Sequence, residues 1–455
     1  MKKLTLLFLC SLALSYAKKP NIIYIIADDL GYGDLSCYGQ KHFSTPHLDQ
    51  LAADGLRFTD HYSGSTVCAP SRSSLMTGQD QGHTYIRGNG SYQLREEDTT
   101  VAELLQQAGY KTAMIGKSCV TGNTKDAQAP HMSGFDYFWG TLDHRTGHFH
   151  YPDKVFSQGK VVNIPGNNGK TGSTYIQDEY ASRALEFIEE AQDEPFFLLL
   201  SFSVPHASLQ APQETIDRLA PNFPNDINYQ FSNHYLDCPK VKATHAAMIT
   251  RVDEHVGAIV AKLKTLGIDQ KTMISFTSDN GSHVEGGYHY DLLDSNGPLK
   301  GGKRDLYEGG IRVPLIVKWP DVIKGGQTSD HPSAFWDFLP TACEAAAIPA
   351  PKGIQGLSYL PTLKGHSQPQ HQYLYWEFCE KGGRVALRQG DWKIVRYNVR
   401  NTDKNSKFEL YNLKDDISES KNLASQYPEK VQELMAHLPT ARVDSPVKKW
   451  NFIKN

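Results

Sequence analysis

Asn21-Ile22-Ile23-Tyr24-Ile25-Ile26-Ala27 is a run dense in β-branched residues that ends on two carboxylates, Asp28-Asp29. Such density marks a buried strand. Similar apolar runs recur at Lys111–Ile115, Phe196–Phe202, Met273–Thr277 and Val313–Val317. Between them lie stretches with helical character. Pro46 to Asp54 is closed by Gly55, Thr99 to Ala108 starts on a threonine cap and stops at Gly109, and Gln177 to Gln192 runs up to the strand after Pro195. Lys242 to Leu266 is a long helix closed by Gly267. Strands alternating with helices predict an α/β fold with a large, mostly parallel sheet covered on both faces.

The pattern changes after the loop-rich stretch Pro349–Gln370. Tyr373–Phe378, Arg384–Arg388, Trp392–Tyr397 and Phe408–Asn412 are short strand-like runs separated by turns, and Pro428–Leu438 is a helix with proline in its first turn. A smaller C-terminal unit with an antiparallel sheet and a helix is expected from residue 371 to 455, after a main domain spanning 18–370.

The 455 residues carry 39% hydrophobic and 21% charged side chains, an ordinary globular composition, and a net charge of −3. That balance gives no overall field favouring nucleic acid or an anionic membrane. Lys2-Lys3, the apolar run Leu4–Leu14 and Ser15-Tyr16-Ala17 form the pattern of a signal peptide, residues 1–17. The run is too short to span a bilayer. Export to the periplasm or the extracellular space is expected, with no membrane span. The seven cysteines include no Cys-x-x-Cys pair, which argues against a disulfide scaffold.

In open α/β sheets ligands bind beyond the carboxyl ends of the strands. There the strands deliver Asp28-Asp29, Gly116-Lys117, Val204-Pro205-His206 and Asp279-Asn280-Gly281. Singly, each is a turn, a cap or a solvated side chain. Together they place acids, an amide, a lysine and a histidine at one edge. Asp28, Asp29, Asp279 and Asn280 form an all-oxygen set of the kind preferred by Ca²⁺ or Mg²⁺. A divalent cation beside lysine and histidine suits a tetrahedral oxyanion. In Cys68-Ala69-Pro70-Ser71-Arg72-Ser73-Ser74-Leu75-Met76-Thr77-Gly78, Pro70 places Cys68 at a helix N-terminus, a position that binds anions and activates a thiol or its derivative. Arg72 stands one turn on, on the same side.

The Cys-x-Pro-Ser-Arg run with Leu-Met-Thr-Gly after it resembles the signature of type I formylglycine-dependent sulfatases, which share the alkaline-phosphatase fold. Asn21–Asp34, Ser278–Gly281, Ser295–Leu299, Lys303–Pro314 and Ala386–Lys393 are similar to further blocks of that family, so the likeness covers nearly the whole mature chain. The resemblance implies a formylglycine made from Cys68 by a maturation enzyme. It also implies calcium bound by Asp28, Asp29, Asp279, Asn280 and residue 68, and a hydrated aldehyde whose hydroxyl attacks sulfur. By the same resemblance Arg72 supports that group, Lys117, His206 and Lys303 hold sulfate oxygens, and a histidine protonates the leaving oxygen. Many members carry a histidine two residues after the lysine, where this chain has Cys119; His148, before Tyr151-Pro152, matches another family histidine and is expected to fill the gap. His83 and Arg87, after the signature helix, are candidate substrate contacts. The substrate class implied is a sulfated sugar or polysaccharide. Two other functions compete: phosphate or phosphonate ester hydrolysis on the same fold, and an unmodified glycan-binding pseudo-enzyme.

Overall fold

The computed structural model describes residues 19–124, 126–230, 234–400 and 406–453. The expected signal peptide, residues 1–17, lies outside them. The strand Asn21–Asp28 sits at the centre of a ten-stranded sheet, between Phe196–Pro205 on one side and Thr272–Ser278 on the other, both parallel to it. Lys111–Lys117 and Tyr137–Thr141 continue the parallel run. Antiparallel pairs flank this run: Leu315–Lys318 against Thr272–Ser278, with Leu56–Phe58 and then Gln327–Ser329 beyond it, and Lys154–Ser157 with Lys160–Asn163 beyond Tyr137–Thr141. The strand expected from Val313 begins at Leu315, because Pro314 has no N–H to donate to a ladder.

Residues of the central strand alternate between two cores. Ile22, Tyr24 and Ile26 face one, with Leu105 and Phe338 from the helices Val101–Gln107 and Phe338–Ala345. Ile23, Ile25 and Ala27 face the other, with Tyr180 and Val252 from Ile176–Glu190 and Val241–Thr265. A strand hydrophobic on both sides is thus sandwiched by helices, as the sequence predicts. The capping residue of Val101–Gln107 is Thr100: its side chain accepts from the Glu103 N–H at 3.1 Å, while Glu103 accepts from the Thr100 N–H at 2.7 Å.

The second sheet is antiparallel and consists of Leu374–Phe378, Arg384–Gln389, Trp392–Tyr397 and Glu409–Asn412, in that order, followed by the helix Pro428–Met435. Buried charges bind it to the main sheet. Arg388 grips Asp60 through two bonds of 2.6 and 2.7 Å. Lys393, fully buried, lies 2.7 Å from Glu308 and 2.9 Å from Glu419, and Glu308 in turn holds Arg312 at 2.6 Å. Among the described residues all six cysteines are free, and no helix is long and apolar enough to cross a membrane.

Candidate active site

Four parallel strands end on the same edge, and their last residues build the site. Successive side chains on a strand point to opposite faces. At the end of the first strand the backbone breaks that rule: Asp29 takes φ of +64°. The kink brings both carboxylates to one place, and the ligand atoms of Asp28, Asp29, Cys68 and His206 all lie within 4.8 Å of one another. Aspartate is among the few side chains that tolerate this conformation. Gly116, just before Lys117, is required by close approach: a Cβ there would stand 2.0 Å from the Ser201 carbonyl oxygen.

Cys68 begins the helix Cys68–Thr77, every residue of which is buried. Its Sγ lies 3.3 Å from Asp28 Oδ1. One turn on, Arg72 turns to the same side, with Nη2 at 3.8 Å from Asp28 Oδ2 and 2.8 Å from Asp279 Oδ2, and Nε donating to Asp279 at 2.9 Å. Lys117 Nζ donates to Asp28. Lys303 Nζ donates to Asp29 at 2.7 Å and Glu285 at 3.2 Å, and lies 2.9 Å from His206 Nε2. Asn280 donates to Asp29 at 2.7 Å, while its own side-chain oxygen is buried without a hydrogen-bond partner. An orphaned buried acceptor beside three buried carboxylates fits a hard cation. Asp28, Asp29, Asp279 and Asn280 could hold one.

The electrostatics follow from burial and these contacts. Burial raises the Asp28 carboxyl, but Lys117, His206 and Arg72 together hold it well below its ordinary value. Asp279 is pushed up to about 7 by burial and by Asp28, against the pull of Arg72. Burial opposes the Lys303 charge, yet Asp29 and Glu285 keep its pKa well above the usual lysine range. Burial, and then Lys303, hold His206 well below an ordinary histidine; burial and His206 do the same to His148. Burial and Asp28 push the Cys68 thiol well above its usual range. The helix N-terminus therefore does not yield an activated thiolate here, contrary to the expectation for that position, because the adjacent carboxylate and burial outweigh it.

A cavity of about 120 Å³ opens over Cys68, lined also by Asn89, Gly90, Asn123, His144, Arg145, His148, His206, Tyr235, Lys303 and Arg304. His148 stacks on His206 with ring centroids 4.1 Å apart and planes 16° off parallel. The structure thus brings together Asp28, Asp29, Cys68, Arg72, Lys117, His148, His206, Asp279, Asn280 and Lys303. It does not bring His83 and Arg87 to the cavity. His83 pairs with Asp80 at 2.6 Å, and Arg87 is drawn away to Glu377 at 3.4 Å and the Val443 carbonyl at 2.9 Å. Cys119 sits beneath Arg72, its Sγ 3.3 Å from Nη1 and packed into the apolar core. His150 is tied to the His206 carbonyl and Gln177, away from the opening.

Sequence reasoning missed His144, Arg145, Tyr235, Glu285 and Arg304. His144 Nε2 lies 3.2 Å from the Ser118 carbonyl oxygen, one residue from Lys117. Glu285 follows Asp279-Asn280-Gly281 closely enough to have been noticed. Its carboxylate pairs with Lys303 and, at 2.6 Å, with Arg304. A second grouping, Asp29–His283–Glu285, is committed to the protein: the His283 nitrogens meet the Pro205 carbonyl and the Glu285 N–H.

A buried carboxylate–amide set, two lysines and a helix-start cysteine at one sheet edge define an oxyanion-ester hydrolase site. The family model for Sulfatase matches residues 20–348, and that for N-sulphoglucosamine sulphohydrolase, C-terminal, matches residues 301–444. An N-acetylgalactosamine-6-O-sulfatase of Bacteroides thetaiotaomicron is 30% identical, with 94% of each chain covered. Human arylsulfatase A is 31% identical, covering 86% of this chain and 77% of the relative. The solved structure of Ps i-CgsB with k-i-k-neocarrahexaose superposes with a TM-score of 0.79 at 28% identity, covering 96% of this chain and 94% of that one. The chain belongs to the sulfatase family, whose members hydrolyse sulfate esters. The same fold carries a phosphonate monoester hydrolase of Agrobacterium radiobacter at a TM-score of 0.66 and 22% identity, covering 93% of this chain and 95% of that one.

Proposed function

We propose that this enzyme is exported and removes sulfate from a sulfated sugar or polysaccharide, using a formylglycine made from Cys68 by a maturation enzyme and a bound calcium ion. The observation that carries the reading is Cys68 itself, at the start of its helix inside Cys-x-Pro-Ser-Arg, 3.3 Å from Asp28 on the floor of the cavity. Relatives named N-acetylgalactosamine-6-sulfatase and N-acetylgalactosamine-6-O-sulfatase support the sugar substrate, as does the structural neighbour in complex with k-i-k-neocarrahexaose.

Residue 68, as the hydrated aldehyde, would supply the oxygen that attacks sulfur. A calcium ion on Asp28, Asp29, Asp279, Asn280 and residue 68 would supply positive charge to the sulfate oxygens. The chain's own residues do the rest. Lys117 and Lys303, kept charged by Asp28 and Asp29, present ammonium groups to the anion. His206 keeps an unprotonated Nε2 toward Lys303 because its Nδ1 donates to the Ala207 carbonyl, so it positions that lysine. Arg72 orients Asp279. His148, unprotonated before substrate binds, gains a proton once the bound sulfate ester offsets the charge of Lys117 and Lys303, and delivers it to the leaving sugar oxygen. Residues 18–370 would form the catalytic domain and 371–455 a smaller docked unit, the signal peptide 1–17 being removed on export.

Mass spectrometry of the Cys68 peptide, from protein made with a competent maturation enzyme, should show the aldehyde; thiol alone would sink the mechanism. A panel of sulfated and phosphorylated sugars tests the ester, and phosphate release without sulfate release would favour the phosphohydrolase reading.

A further inference from the structure

The Cys68 cavity is walled on one side by Gly90. A Cβ on Gly90 would come within 3.6 Å of Lys449 Nζ, so the C-terminal segment stands directly behind that wall. Lys449 lies over the rings of Tyr92, at 4.9 Å, and Trp450, at 5.5 Å. Behind it a second cavity of about 450 Å³ opens, lined by Arg396, Arg400, Lys448, Lys449 and Phe452 among others. Among the described residues its lining includes four cations and no carboxylate. Arg400 is anchored by a 2.8 Å bond to the Lys449 carbonyl and lies 5.2 Å from the Phe452 ring centroid. Arg400, Lys448 and Lys449 are exposed. Against a chain net charge of −3, this is a local concentration of positive charge.

We propose that this groove is a second binding site for an anionic glycan, holding a remote stretch of the polymer whose sulfate is presented to Cys68. The inference deepens the reading of the substrate as a sulfated glycan and rests on it. Two kinds of observation favour a polysaccharide. The groove abuts the wall of the catalytic cavity, so one chain can occupy both. Arg400, Lys448 and Lys449 are also exposed side by side, so they can pair with several sulfates of one polymer. Tethering a polymer at a second point raises its effective concentration at the first, whereas a monosaccharide gains nothing.

The test uses the full chain with Cys68→Ala, which binds without turnover, and the same chain with Arg400→Ala, Lys448→Ala and Lys449→Ala added. Binding of dextran sulfate should weaken by about tenfold or more, with a shallower dependence on salt, because fewer counterions are released. Uncharged dextran should bind neither. In the active enzyme the triple substitution should lower kcat/KM on a sulfated polymer by about tenfold and leave a small aryl sulfate unaffected within about twofold. Lys448→Glu alone, at an exposed position, guards against misfolding and should reproduce a large part of the loss at unchanged Tm. Equal binding by parent and variant would overturn the proposal. So would an equal fall on polymer and small substrate, or tighter binding of single-stranded DNA than of dextran sulfate. Because the binding arm needs no turnover, its outcome stands even if no sulfate ester is hydrolysed.

Discussion

Replacing His148 by alanine separates proton donation from simple anion binding. His206 is engaged at both ring nitrogens, by the Ala207 carbonyl and by Lys303 Nζ, whereas among the described residues His148 has only Nδ1 engaged, 3.4 Å from His234 Nε2. His148 Nε2 is therefore the nitrogen with capacity to protonate a departing oxygen. Loss of a general acid costs about 10²-fold, or about 2.7 kcal/mol in the barrier, when the leaving group is poor. A sugar alkoxide is such a group; a nitrophenolate is not. His148→Ala should thus lower kcat on a sugar sulfate by about 10²-fold and on 4-nitrophenyl sulfate by less than about tenfold. The assay is initial-rate kinetics on both substrates, with the aldehyde content at residue 68 measured in each preparation. Equal losses on the two esters would assign His148 to binding, and a near-parental rate on the sugar sulfate would remove it from the mechanism.

Asn280→Ala removes the orphaned oxygen, and the calcium needed to restore activity after chelation should rise by roughly 10–100-fold, the range for lost support of a metal site. Asp60→Ala leaves Arg388 buried and uncompensated and should cost about 3–5 kcal/mol in denaturant unfolding. Thr100→Ala deletes the capping box and should cost about 1 kcal/mol. Asp253, whose carboxylate accepts the His47 and Leu48 N–H groups, is pushed up to about 6 by burial. A carboxyl raised on folding binds more protons folded than unfolded, so its contribution is full below about pH 4 and is lost as pH rises through 6, by up to about 3 kcal/mol. That slope should be missing from pH-dependent unfolding of Asp253→Asn.

The parts of this molecule that could be read from its sequence are those set by local rules. The β-branched run Asn21–Ala27 predicts its own burial, and Pro70 with Gly78 brackets the Cys68 helix. The edge strands Lys154–Ser157 and Lys160–Asn163 escaped notice because they are short and half-polar, without the apolar density of the central ones. Arg87 was misjudged for a different reason: its partner Glu377 is 290 residues away in the chain, and no local pattern reports a buried ion pair of that range. His144, Arg145 and Arg304 reach the cavity from loops, where neither period nor propensity constrains side-chain direction. Arg304 also adopts φ of +77°, a conformation that nothing in its neighbours' identities announces.

The buried charges between the two sheets join segments far apart in the chain. Glu308 lies five residues after Lys303, yet its carboxylate is neutralised by Lys393, and its N–H is held by Glu419 at 2.6 Å. The segment carrying Lys303 thus reaches its buried charge partners only across 85 and 111 residues of later chain. Cys68 is only 2% exposed once folding is complete. If residue 68 is matured as proposed above, the modifying enzyme needs the chain before that burial, because the finished site leaves a cavity of only about 120 Å³.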